Sequence, residues 1–266
     1  MIKGKPGRSL SKKEYEIVSE LALRGIDIIS IDDASKLFKT KKKKLWDILH
    51  RLEKKGWLER IEKGKYMVVP LQAKEGWLEH PFVLASNLVE KYYISYRTAL
   101  AHHGLTEQLP LYVYVATTER KGKTEYELQN YIFRFVRIKQ EKFFGFRSES
   151  IGGQKIFIAE KEKAIVDCLD KERYSGSVIE IAKALTNVEI SINKVKKYAL
   201  KMNNSSLVRR LGYLLDLLKK DSSGLEKHIG KYRNIYLSTA LPRRAVETSK
   251  KWRLIVNVKK EDLLAW

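Results

Sequence analysis

The stretch "YYISYRTALAHHGLTEQLP" (92–110) sets two of the five histidines, His102 and His103, side by side, with Ser95, Tyr96 and Glu107 close in sequence. Such residue types could hold a metal or move a proton. A helical metal site needs its ligands on one face, at the i, i+4 spacing of H-E-x-x-H, whereas adjacent helical side chains diverge by about 100°. Ser95 stands where an N-cap belongs, a short helix covers 96–103, and Gly104 supplies a left-handed stop. A histidine in the last turn then faces the negative end of the helix dipole. The stretch reads as a structural corner. Asp167 and Asp170, three apart on a second predicted helix, could be imagined as an acid pair. With no histidine cluster, glycine-rich phosphate loop or nucleophile elbow, capping or solvated roles fit them better. The sequence predicts no catalytic residue, no metal and no cofactor. The rival from another class is a metal-dependent nucleic-acid-processing enzyme using Asp167, Asp170 or the histidines.

Lysine and arginine carry a different chemistry. They outnumber aspartate and glutamate 53 to 32, a net charge of +21 over 266 residues. That imbalance points to polyanions. Residues 1–70 hold 18 basic and 10 acidic groups and the remaining 196 hold 35 and 22, so charge is densest near the N-terminus without being confined to it. Its densest run is Lys41 to Lys44.

The elements that must position this run are legible around it. "SKKEYEIVSELALRG" predicts a helix with Ser11 as cap, Glu14 completing a capping box and Gly25 as the stop. "IISIDDASKLFK" then offers a short strand and a second helix over about 33–38, capped by Asp32. The third helix runs from Thr40 to a stop at Gly56. Leu45, Ile48, Leu49 and Leu52 form its buried stripe, leaving Lys43, Asp47, His50 and Lys54 on the far side with Lys44 and Arg51 flanking. "WLERIEKGKYMVV" then gives two strands about a turn at Lys63-Gly64. This order is that of a winged helix-turn-helix, whose third helix enters the major groove by its first turn while the wing follows the backbone. Candidate DNA contacts are Thr40, Lys41, Lys42, Lys43, Lys44, His50 and Arg51 on the helix and Arg60, Lys63 and Lys65 on the wing. Lysine suits phosphate contact more than base reading, so strong electrostatic anchoring with limited base discrimination is expected.

Beyond a connection ending at Pro81 the period changes. A helix in "PFVLASNLVEKYY" precedes β-rich "LYVYVATT", "YIFRFVRI" and "QKIFIAE", with a Gly-Gly hairpin in "SIGGQK". "KFFGFRSES" keeps only part of an RNA-binding strand motif and reads as a core strand. From Glu160 the pattern is helical, and "WRLIVNV" near the end is strand-like. Arg209 and Arg210 on one of these helices, with Arg243 and Arg244 in "LPRRAVETSKKWR", make a possible second basic surface. Cys168 in apolar "AIVDCL" reads as a buried thiol, no run suits a membrane span, and the N-terminus lacks a secretory signal, all fitting a cytoplasmic protein.

Four pieces, "ISYRTALAHHGLTEQLP", "EKEKAIVDCLDKERYSG", "VRRLGYLLDLL" and "KKWRLIVNV", behind the N-terminal segment, resemble the AbiEi antitoxin family of type IV, AbiE-type toxin–antitoxin systems in viral defence. The resemblance implies an α+β chain: a winged helix-turn-helix DNA-binding domain over 1–72 and a mixed α/β antitoxin domain over 73–266. It further implies repression of the protein's own promoter through inverted repeats in double-stranded DNA. A nucleotidyltransferase-like toxin would be countered without a stable complex. A stand-alone regulator lacking a toxin partner would share this architecture.

Overall fold

The computed structural model describes residues 9–70, 78–230 and 233–265. The chain divides into two compact units, Met1–Leu78 and Glu79–Trp266. The break expected at 72/73 lies outside the described residues. Both helices and sheets build the molecule, a mixed α and β fold. No helix among the described residues is long and apolar enough to cross a membrane.

The first unit runs α1 (Lys12–Leu23), β1 (Ile28–Ser30), α2 (Ile31–Leu37), α3 (Lys42–Lys54), β2 (Leu58–Glu62) and β3 (Lys65–Val68). α1 starts as expected, with Ser11 and Glu14 exchanging backbone bonds in a capping box. α2 begins earlier than expected and is capped by Ser30, whose hydroxyl accepts the Asp33 N–H, rather than by Asp32. Ser30 is the last residue with extended backbone, and only that position can cap. β1 joins the edge of β3, so the antiparallel sheet has the order β1-β3-β2. Gly64 turns the hairpin at φ +79°, a left-handed value that side chains disfavour. Ile17, Leu21, Ile29, Ala34, Leu45, Leu49, Leu52, Leu58 and Tyr66 close one core across all three helices and the sheet.

In the second unit α4 (Pro81–Leu88) gives way to β4 (Tyr92–Ile94), so the helix expected to continue through "EKYY" ends five residues earlier. α5 (Tyr96–His102), β5 (Tyr112–Thr117), β6 (Glu125–Leu128), β7 (Tyr131–Arg137), β8 (Phe146–Ile151) and β9 (Gln154–Ala159) follow. They form a six-stranded mixed sheet, β6-β7-β5-β4-β9-β8. The central strands are buried on both faces and read as continuous apolar runs, notably "YVYVAT". β8 is an edge strand with partly exposed residues, not the core strand expected of "KFFGFRSES". α6 (Lys161–Asp170), α7 (Val178–Thr186), α8 (Ile192–Lys201) and α9 (Ser205–Leu217) supply the helical half. A small sheet of β10 (Ile235–Tyr236), β11 (Glu247–Ser249) and β12 (Leu254–Val256), in the order β10-β12-β11, and the short α10 (Lys260–Leu264) complete the unit.

Pieces far apart in sequence meet here. Gly212 on α9 lies so close to Trp252 that a Cβ there would overlap the indole ring. Trp252 Nε1 donates to Asp216 Oδ2 at 2.7 Å, and Lys251 pairs with the same oxygen at 2.8 Å. "VRRLGYLLDLL" and "KKWRLIVNV" are therefore two halves of one packing unit.

Candidate nucleic-acid interface

α3 positions the basic run. Leu45, Ile48, Leu49 and Leu52 are buried as their spacing requires, which turns Lys41, Lys42, Lys43 and Lys44 outward at the helix start. The helix begins at Lys42 with Lys41 at the N-cap, and Lys41 offers no side-chain cap bond. No acidic residue occupies the first turn. Lys42 reaches Asp32 at 2.7 Å across the turn between α2 and α3. Among the described residues the side chains of Lys41, Lys43 and Lys44 have no partner. Thr40 is turned inward: its hydroxyl donates to Phe38 O at 2.9 Å and its carbonyl accepts from Ser35.

The far end of α3 is committed elsewhere. Arg51 Nε and Lys55 Nζ converge on the carboxylate of Glu14 at 3.0 and 2.6 Å. Glu14 is 1% exposed. Burial pushes its pKa up, but hydrogen bonds from Lys55, the Ser11 backbone and Arg51 outweigh that and bring it down to about 2. Arg51, expected at the DNA, instead ties α3 to α1. His50 donates from Nδ1 to Glu53 at 3.2 Å and stacks on Trp46, with centroids 5.2 Å apart. Trp46 is 46% exposed and was absent from the expected contacts. Its signal was available: it lies three residues from Lys43 on the outward face, where a large aromatic has no core to fill.

The wing residues lie across β2 and β3. Arg60 and Lys63 are exposed, and Lys65 is half-buried beside Gly64. A cleft of about 450 Å³ brings the start of α2, Trp46 of α3 and Glu62 to Lys65 of the hairpin together. Asp32 and Glu62 in its wall make it mixed in charge, so the purely cationic face is the first turn of α3.

In the second unit the expected second basic surface is corrected. Arg209 is 1% exposed and hydrogen-bonds to Ile229 O and Arg233 O; Arg210 is 9% exposed and donates from Nε to Tyr236 O at 3.3 Å. Both are spent on backbone carbonyls, those of Ile229 and Arg233 before β10 and of Tyr236 within it. Arg243 and Arg244 are exposed.

The residues of the enzymatic rival are each engaged. His102 donates from Nε2 to Glu149 at 2.9 Å and His103 from Nε2 to Ala159 O at 2.7 Å. Burial pushes the His103 pKa down. Ser95 starts α5 by its backbone, but its hydroxyl donates to Asp167 at 2.7 Å instead of capping. Asp167 also accepts from Tyr93 at 3.1 Å and pairs with Lys163, and all four residues are buried. Asp170 accepts from Lys142 and Asn204. No group of three or more potential metal ligands occurs among the described residues.

Residues 16–69 match the model of a family described as "Transcriptional regulator, AbiEi antitoxin". The resemblance read from the sequence is thus shown over this segment. No curated protein matches the chain. A crystal structure described as that of RV2827C protein from Mycobacterium tuberculosis is similar to the whole chain. It has a TM-score of 0.65 and 14% identity, covering 100% of this chain and 98% of that one. At that identity the likeness is one of fold.

Proposed function

We propose that the protein is a transcriptional regulator of the AbiEi type that grips duplex DNA through its first unit, acting as a winged helix-turn-helix. α3 enters the major groove by its first turn, and the β2–β3 hairpin lies against the backbone as the wing. One observation carries this reading. Lysines at a helix N-terminus oppose the macrodipole, and an uncapped first turn leaves backbone N–H groups open. Here both occur together, with Lys41, Lys43 and Lys44 exposed and no acid in the turn. The arrangement costs helix stability and becomes favourable when phosphate oxygens arrive to meet both the N–H groups and the ammonium groups.

Lys41, Lys43 and Lys44, with Arg60, Lys63 and Lys65 on the wing, are the phosphate contacts of this reading. Lys42 joins them by exchanging Asp32 for a phosphate. Trp46 and His50, stacked on the outward face, add apolar and hydrogen-bonding contact to base edges. The family match, over residues 16–69, supports a transcriptional regulator of the AbiEi antitoxin kind; an operator in the protein's own promoter and an antitoxin role for the second unit are parts of this proposal. The partner of that role is a nucleotidyltransferase-like toxin countered without a stable complex.

A gel-shift titration against the DNA upstream of the gene, with shuffled duplex and matched RNA as competitors, tests the reading. Binding that survives shuffled competitor and is lost in Lys43→Ala/Lys44→Ala is expected. Equal loss to every competitor would reduce the activity to general polyanion binding and sink the repressor.

A further inference from the structure

Among the described residues, the second unit holds a cavity of about 480 Å³ into which three arginines converge: Arg210 from α9, Arg233 just before β10, and Arg243 after it. Ser206, Asn234 and Tyr236 complete the part of the wall that matters here. The site is built. Arg209 holds the Arg233 carbonyl at 2.9 Å and the Ile229 carbonyl at 2.8 Å, tying the Arg233 backbone to α9. Arg210 is anchored by Nε to Tyr236 O, and the Arg243 guanidinium lies 5.9 Å from the Tyr236 ring.

The nearest acids do not neutralise these groups by contact. Glu172 is spent on Ser238 and Thr239: Oε1 accepts from the Ser238 hydroxyl, and Oε2 from the Thr239 hydroxyl at 2.8 Å and its N–H. Asp170 is spent on Lys142 and Asn204. Among the described residues, none of the three arginines has a carboxylate partner. Burial pulls the Arg210 pKa down while Glu172 and Asp170 hold it up, the mark of a guanidinium taken out of water without a direct counter-ion. The cavity also meets the first turn of α9 at Ser206. That 13-residue helix is capped by Asn204 and directs its positive end there.

Three like charges around one cavity repel, and an anion of two or more charges relieves that cost. Guanidinium forks match the paired oxygens of phosphates and carboxylates, and of these a phosphate group concentrates more negative charge between three arginines. The volume falls in the range of small-molecule sites, about 300–1,000 Å³, and is too small for a duplex. We propose that this cavity binds a phosphorylated small molecule of up to nucleotide size, its phosphate held between Arg210, Arg233 and Arg243.

Calorimetric titration of the full chain at physiological salt, with pyrophosphate, ATP and uncharged adenosine as probes, tests this. Saturable binding of pyrophosphate or ATP but not of adenosine is expected. Tighter binding of ATP than of pyrophosphate assigns a nucleotide, and equal binding assigns the phosphate alone. Arg233→Gln and Arg243→Gln each weaken it at least about tenfold, the loss of one charge-assisted hydrogen bond. These two exposed residues keep the test valid if Arg210→Gln fails to fold. Lys43→Ala/Lys44→Ala should bind the probes normally, which separates this site from the DNA-binding reading. No saturable binding of either phosphate, or binding unchanged in both arginine variants, would overturn the proposal.

Discussion

Glu14 does two jobs, and only one of them is local. Its capping box with Ser11 follows from spacing, whereas its grip on Arg51 and Lys55 joins residues 37 and 41 positions apart. The folded pKa of about 2 lies below the ordinary 4.5. The stabilisation is therefore complete above 4.5 and is lost as the pH falls through about 2. Glu14→Gln should cost about 3 kcal/mol at neutral pH, because it leaves two cations without their buried partner. Urea midpoints followed through that acid range should fall more steeply for the native protein than for the variant; parallel curves would refute the assignment. In the second unit Asp167 stands in the same position with Lys163, Ser95 and Tyr93. Asp167→Asn should lower stability by about 3–5 kcal/mol. Its DNA affinity, measured at a temperature where the variant remains folded, should not change. A loss of DNA binding there would return Asp167 to the functional residues.

At the scale of elements, α3 and α9 show opposite uses of a helix start. α9 is capped by Asn204, while α3 leaves its first turn bare under Lys41. Lys41→Asp would supply the missing cap and favour the dipole, raising the stability of the first unit by about 1 kcal/mol. The same change should weaken DNA binding, and a variant gaining both stability and affinity would contradict the role given to this turn. α9 is set instead by close packing: Gly212 admits the Trp252 ring where any Cβ would overlap it. Gly212→Ala should destabilise by at least about 2 kcal/mol, seen as a lower Tm, since both the helix backbone and the indole are fixed.

For the molecule as a whole, a net charge of +21 predicts association governed by counterion release. With about six phosphates neutralised, log K should fall against log salt with a slope near −5, and Lys43→Ala/Lys44→Ala should flatten it by about 2. An unchanged slope would place the DNA contacts elsewhere. What the sequence determined by itself were the local features. The buried stripe of α3, the capping box of α1, the Gly64 turn and the strands around "YVYVAT" depend on period, caps and backbone preference within a few residues. It also showed where positive charge is dense. It did not reveal which charges face water. Arg209 and Arg210 read as a basic surface, yet both are buried and each is claimed by a backbone carbonyl 20 or more positions away, while Arg51 stays half exposed but is claimed by the buried Glu14. Trp46 was the converse, an aromatic left outside by the phase of its own helix. Only the tertiary structure decides such cases, because burial and pairing are set by whichever distant segment folds against a side chain, and a desolvated charge is stable only where that segment brings a partner.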